Sequence, residues 1–334
     1  MTVRFFDCCV RLMQWMLLVL GVLAGAAVNA QTDGNAYPQK LVRIVVGFPP
    51  GQSGDLHARA FASALQQYWG RPVIVDNLPG ANGILAARTV KIAAADGYTL
   101  LYGTSGQLAI NPFLYKSLPY ETLRDFAPVA MGSMGKLYLV ANPSLPVNNL
   151  RELVAYVKAN PGKLNFGSGG TGITGHLAME MLNAVTGMRM THVPYKGSST
   201  AITGLIGNDV QLMFEAGAQM LPLIQSGKVK VLAVSTKERD SNLPDLPTVA
   251  EQGFPGFDVR PWSALLAPAG TPEAVIEKVN AAMNRASRDP AVLTVVRAGG
   301  SETTQESTVQ LARFIETEAE SWGNAVRQAG IEPE

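Results

Sequence analysis

Cysteine is almost absent from this chain: the two among its 334 residues are Cys8 and Cys9. Both precede an apolar run from Trp15 to Val22, so neither is placed as a lipid-modified cysteine, which would follow such a run. From there to the end no thiol remains, which excludes a disulfide framework, a thiolate nucleophile and a cysteine-ligated metal. Surplus charge is missing as well. The 27 basic and 26 acidic residues nearly cancel, and they become equal in number once Arg4, Asp7 and Arg11 are set aside with the leading segment. A neutral chain carries no electrostatic footprint for nucleic acid or for an anionic membrane surface.

The leading segment has the order of a secretory signal. Arg4 and Arg11 come first, the apolar run second, and Ala26-Ala-Val-Asn-Ala30 third, with Val28 and Ala30 at the two small-residue positions of a cleavage site. Residues 1–30 are therefore expected to be removed, leaving a periplasmic protein that starts at Gln31. The other reading, a membrane anchor, meets an apolar run that is short against the ~20 residues a span needs. The remaining chain of about 300 residues is long for one core and suggests two lobes.

Strands, glycine turns and helices alternate along it. Leu41–Val46, Val73–Asp76 and Tyr98–Tyr102 read as strands, each followed by a polar turn rich in glycine. Lys136–Val140, Met188–Val193, Val210–Phe214 and Lys230–Ser235 read as the strands of a second sheet, and Leu150–Ala159 as a helix. Such alternation predicts an α/β fold with mainly parallel sheets, whose ligands sit beyond the carboxyl ends of the strands. Gly132–Gly135 is expected to carry the chain from one lobe to the other, and the extended segment after Phe257 to bring it back. Two hinge segments suit closure around a ligand. The end is helical, over Pro272–Ser287, Pro290–Val296 and Thr308–Ala329.

The stretch from Lys163 to His176 concentrates the chemistry. It runs from a short strand through Gly167-Ser-Gly-Gly-Thr-Gly172 into a helix expected near Leu177. Unpaired N–H groups at such a turn favour an anion, and the hydroxyls of Ser168, Thr171 and Thr174 add donors. A dinucleotide would also want an acidic residue after the next strand, which ends instead in Pro194-Tyr195. A Walker loop would need Gly-Lys-Ser/Thr, and a nucleophile elbow would need glycine where Phe166 stands. Tight strand-to-helix packing is the alternative to anion binding.

Several segments together resemble the extracytoplasmic solute receptors of the tripartite tricarboxylate transporter family, also called Bug receptors. The likeness spans nearly all of the chain after residue 30. It rests on Phe48-Pro-Pro-Gly51, Asp55 with Ala58-Arg59, Val75-Asp-Asn-Leu-Pro-Gly80, Asp96-Gly-Tyr-Thr-Leu100, Asn111-Pro112, Asp125-Phe-Ala-Pro128, Pro161-Gly-Lys163, Gly167-Ser168 with His176-Leu177, His192-Val-Pro-Tyr-Lys-Gly197, Leu243-Pro-Asp-Leu-Pro-Thr248 and Ala267-Pro-Ala-Gly-Thr-Pro272.

The resemblance implies a two-lobed periplasmic binding protein of the type II-like fold. Residues 31–134 and 258–334 would form one lobe and 135–257 the other. It also implies a non-catalytic receptor that closes on a small carboxylate and passes it to the membrane components of a tripartite transporter. The ligand would be held by loops around Phe48, Pro49, Gln52, Ser53, Gly54 and Asp55, and around Ser168, Gly169, Gly170, Thr171, Gly172 and Thr174. Thr104 and Ser105 end a third converging loop, Tyr195 is a wall residue, and Glu215 stands where the family commonly has aspartate. Gln52 replaces a usual glycine.

No arginine cluster lies in these loops, so capture is expected to rest on amides and hydroxyls, which favours a mono- or dicarboxylate over a tricarboxylate. Asp55 is read either as a ligand contact or as a cap on its helix, and Asp55 and Glu215 as possible acceptors for a ligand's hydroxyl or cationic group. His176 and Glu180, four apart on a helix, are read as a structural pair or as half a metal site. No metal, cofactor or catalytic residue is expected, and the protein is read as a monomer. A sensing role for the same receptor, or a secreted enzyme on the same fold, are the alternatives.

Overall fold

The computed structural model describes residues 37–328 and 330–333, so the expected signal segment lies outside the described residues. The first sheet is built from β1 (Val42–Val46), β2 (Val73–Asn77), β3 (Thr99–Thr104), β4 (Phe126–Met134) and β10 (Trp262–Pro268), in the order β2-β1-β3-β10-β4. β1 is parallel to β2 and β3, while β10 runs antiparallel between β3 and β4. Parallel neighbours require crossovers, and the helices α1 (Ser53–Trp69) and α2 (Ile84–Lys91) supply them. A short turn of wide helix over Gly106–Ile110 leads into α3 (Asn111–Leu114), and α4 (Thr122–Asp125) precedes β4.

β5 (Leu137–Ala141), β6 (Asn165–Ser168), β7 (Thr191–Pro194), β8 (Leu212–Ala216) and β9 (Lys230–Val234) form the second sheet, in the order β7-β6-β8-β5-β9. β6 is parallel to β7 and β8, and β5 is the antiparallel member. Its helices are α5 (Leu150–Ala159), α6 (Thr174–Thr186), α7 (Ser198–Ile206) and α8 (Gly217–Gln225). The chain then returns to the first sheet through β10 and ends in α9 (Glu273–Ala286), α10 (Pro290–Ala298) and α11 (Thr308–Gln328).

Some expected boundaries move, each for a local reason. The presumed break at Gly132 is strand: β4 runs on to Met134. Glycine is needed there because the Tyr102 ring and hydroxyl occupy the space a Cβ would take. α6 starts at Thr174 rather than near Leu177, and its second residue, Gly175, lies against the Phe214 carbonyl of β8. α8, which the sequence reading passes over, holds Pro222 in its interior, a residue that ordinarily interrupts helices.

The largest apolar cluster draws on both sheets, joining Leu108, Phe126 and Met131 to Leu139, Phe166 and Leu212, with Leu311, Ile315 and Trp322 of α11 in the same cluster. Glu318 of α11 accepts the indole N–H of Trp262 at 2.7 Å and that of Trp322 at 3.1 Å, so one carboxyl links the start of β10 to the final helix.

Candidate ligand-binding site

The turns at the strand ends of the two sheets face a single cavity of about 710 Å³, within the range of small-molecule sites. The first wall is the turn between β1 and α1. Gln52 is the residue before the helix, and its side chain makes no capping bond. Asp55 does that work from the third helical position: its carboxylate accepts Gly51 N–H at 2.9 Å, Arg59 Nε at 2.9 Å and Asn77 Nδ2 at 2.9 Å. Asn77 Nδ2 also donates to the Phe48 carbonyl at 3.0 Å, and Arg59 Nη2 donates to Asn77 Oδ1 at 2.8 Å. Burial alone would raise the Asp55 carboxyl, but the bonds from Arg59, Gly51 and Asn77 together hold it below the usual carboxylate range. Of its two readings, the helix-capping one describes the observed contacts, since Asp55 is buried behind the wall and does not line the cavity.

The second wall is the turn between β6 and α6. Gly170 and Gly172 have φ of +146° and +81°, where a side chain would be strained. A Cβ on Gly169 would lie 2.8 Å from Ser198 N, so glycine lets this turn approach α7. Ser168 departs from its expected place. It is fully buried, donates to the Gly170 carbonyl at 2.8 Å and has its Oγ 2.6 Å from His192 Nε2. Its hydroxyl is therefore engaged behind the turn, and neither Ser168 nor Gly172 lines the cavity.

Two stacked imidazoles brace this wall. The rings of His176 and His192 lie 3.8 Å apart, Phe166 stacks on His192, and His176 Nδ1 accepts Gly172 N–H at 3.1 Å. That bond requires an unprotonated Nδ1. Burial, with a further push from His192, lowers His176 to about 3, and burial lowers His192 to about 4. His176 Nε2 is 3.8 Å from Glu180 Oε1, and among the described residues no third metal-ligating side chain joins them.

Phe48, Pro49, Gln52, Ser53, Gly54, Thr104, Ser105, Gly169, Gly170, Thr171, Thr174, Tyr195 and Glu215 do line the cavity. The walls meet where Ser105 Oγ lies 2.9 Å from Thr174 Oγ1. Ser53 Oγ and Glu215 Oε2 are buried without a hydrogen-bond partner. The lining includes no arginine, and its cation is Lys196.

Sequence reasoning missed several lining residues. His57, set aside as remote from the other histidines, places Nδ1 2.8 Å from Ser133 Oγ, which continues to Ser263 Oγ at 2.9 Å and on to Tyr102 Oη at 2.9 Å. Burial lowers His57 to about 4. Trp262, read as packing, also lines the cavity, as do Asn82, Tyr115 and Ser301. Lys196 was within reach of the sequence, since it follows Tyr195 in a turn already singled out. Ser133 and Ser301 carry no local signal, because only the return of the chain brings them to the site.

Two sheets of this order joined by two passages, with glycine turns converging on one enclosed polar cleft, define a two-lobed solute-binding protein. The chain belongs to the tripartite tricarboxylate transporter family receptors, whose family model matches residues 57–331. It is 37% identical over 317 residues to protein BugT of Bordetella pertussis, covering 94% of this chain and 97% of that one. Among solved structures, an R. palustris protein with adipate has a TM-score of 0.86 at 33% identity, over 89% of this chain and 100% of that one. MatC from Rhodopseudomonas palustris, with bound malate, has a TM-score of 0.81 at 33% identity, over 87% of this chain and 100% of that one.

Proposed function

We propose that this protein captures a small organic carboxylate in the periplasm and delivers it to the membrane components of a tripartite transporter. The observation that carries the reading is the wall chemistry: turns opening α1, α6 and α7 present backbone amides and hydroxyls to one arginine-free cavity, a setting that suits one carboxylate better than a highly charged anion. The adipate and malate held by the two similar proteins are of this class. Residues up to 134 and from 258 form one lobe and 135–257 the other. A single chain supplies both walls, so the receptor acts as a monomer.

Binding rather than turnover fits the buried serine. The closest Ser–His contact of the second wall, Ser168 with His192, is shut away from the cavity, so no ligand carbonyl reaches that hydroxyl. Thermal-shift measurements across mono- and dicarboxylates test the reading: a true ligand at about 100-fold its Kd adds ~2.7 kcal/mol. Failure of the whole panel to stabilise the protein overturns carboxylate capture, and uptake unchanged in a deletion strain overturns delivery.

A further inference from the structure

Glu215 ends β8 at the cavity and is 6% exposed. Its Oε1 accepts Ala216 N–H at 2.9 Å, the Ser198 hydroxyl also donates to the carboxyl, and Oε2 has no partner. No cation compensates it. The titratable groups on the surrounding elements are Tyr138 of β5, whose hydroxyl is bonded to Asp240, itself 3.7 Å from Lys136; His176 of α6; Tyr195 and Lys196 before α7; and His57 across the cavity. What acts on the Glu215 carboxyl is burial first, which raises it, then the bonds from Ala216 and Ser198; none is a charge. An ionised carboxylate with a bare buried oxygen is costly in such a place. The backbone N–H on Oε1 leaves Oε2 as the seat of a proton.

We propose that Glu215 is a neutral carboxylic acid whose Oε2–H donates to an acceptor oxygen, carboxylate or carbonyl, at the end of the ligand remote from the Gly169–Thr171 turn. The inference rests on the carboxylate-receptor reading and adds which far end the site accepts. It replaces the role the sequence suggested for Glu215, as acceptor for a hydroxyl or cationic group. An arginine-free cavity can then hold a second acidic group of the ligand by hydrogen bonding, without a second protein cation. A ligand ending in an ammonium would bring a donor to a donor.

The test compares matched ligands on the unaltered protein by calorimetry: the diacids from succinate to azelate, their ω-amino counterparts and the simple monoacids. The best diacid is expected to exceed its amino and monoacid analogues by about tenfold or more, one hydrogen bond to a charged group. In Glu215→Gln the amide oxygen takes over the bonds from Ala216 and Ser198, so its NH₂ faces the ligand. Diacid affinity should stay within about threefold there, and fall by about tenfold or more in Glu215→Leu. Wild-type diacid affinity that is level or declines as pH rises, measured above the ligand's own titration, agrees with a protonated Glu215. Preference for the amino analogues, loss of diacid binding in Glu215→Gln, or affinity that climbs with pH overturns the acid reading while leaving carboxylate capture standing. If no carboxylate of any kind binds, the receptor reading fails and takes this inference with it.

Discussion

The two walls of the cavity solve one problem with different chemistry. Each must hold a glycine-bearing turn in front of a helix that opens with a hydroxyl residue and glycine, Ser53-Gly54 in α1 and Thr174-Gly175 in α6. The first wall is braced by charge, through Asp55, Arg59 and the amide of Asn77. The second is braced by neutral groups, through two stacked imidazoles and the Ser168 hydroxyl. A carboxylate brace strengthens on ionisation, whereas an imidazole that accepts an N–H must stay unprotonated. The walls should therefore fail under different insults, although they face the same ligand.

The sharpest contrast is at the two glycines. A Cβ on Gly175 meets the Phe214 carbonyl, a backbone atom that cannot step aside, whereas a Cβ on Gly54 finds only Thr104 Cγ2, at 3.8 Å. Gly175→Ala is expected to destabilise by ~2–3 kcal/mol in urea unfolding, while Gly54→Ala stays within ~0.5 kcal/mol of wild type. Equal effects would show that the second wall is no tighter than the first. Next comes Asp55→Ala, which strands a main-chain N–H, an amide and part of a guanidinium. We expect a loss of ~2 kcal/mol, with ligand affinity reduced as the Phe48–Ser53 turn loosens.

Acid separates the braces. His176 titrates near 6.5 when unfolded and about 3 when folded, so its contribution is whole above pH 6.5 and drains away as pH falls toward the folded value. Asp55, lowered from 3.8, keeps its contribution until pH drops below 3.8. Between pH 6.5 and about 4, stability should thus decline through the histidines, and His176→Gln should flatten that slope by up to ~1 kcal/mol per pH unit. An unchanged slope would assign the acid sensitivity elsewhere. The smallest effect is expected at the seam between walls: Ser105→Ala, which removes the contact to Thr174 Oγ1, should cost ~0.5–1 kcal/mol and weaken ligand binding a few-fold without altering the unfolding slope.

What could be read from the sequence follows from this division. Strand-turn-helix alternation and the glycine turns are local signals, so both sheets and both turns were legible. Asp55 left two readings open because a carboxylate at the start of a helix serves a cap and a ligand equally well until Asn77 and Arg59 are seen beside it. Ser168 looked like its hydroxyl neighbours Thr171 and Thr174, but it ends β6, where its side chain is turned to His192 of the adjacent strand. One residue's shift along a strand reverses the face a side chain occupies. Ser133, Trp262 and Ser301 reach the cavity only through tertiary return of the chain, and α8 was hidden by its own proline.

The bond from Glu318 to two indoles gives the molecule an optical property. Trp262 lines the cavity with its N–H fixed to a carboxyl, while Trp322 shares that carboxyl inside the apolar cluster. Emission from Trp262 will follow the polarity of whatever fills the cleft, and emission from Trp322 will follow the integrity of the shared core. Occupancy and unfolding can thus be watched in one unlabelled sample, as separate changes in intrinsic fluorescence.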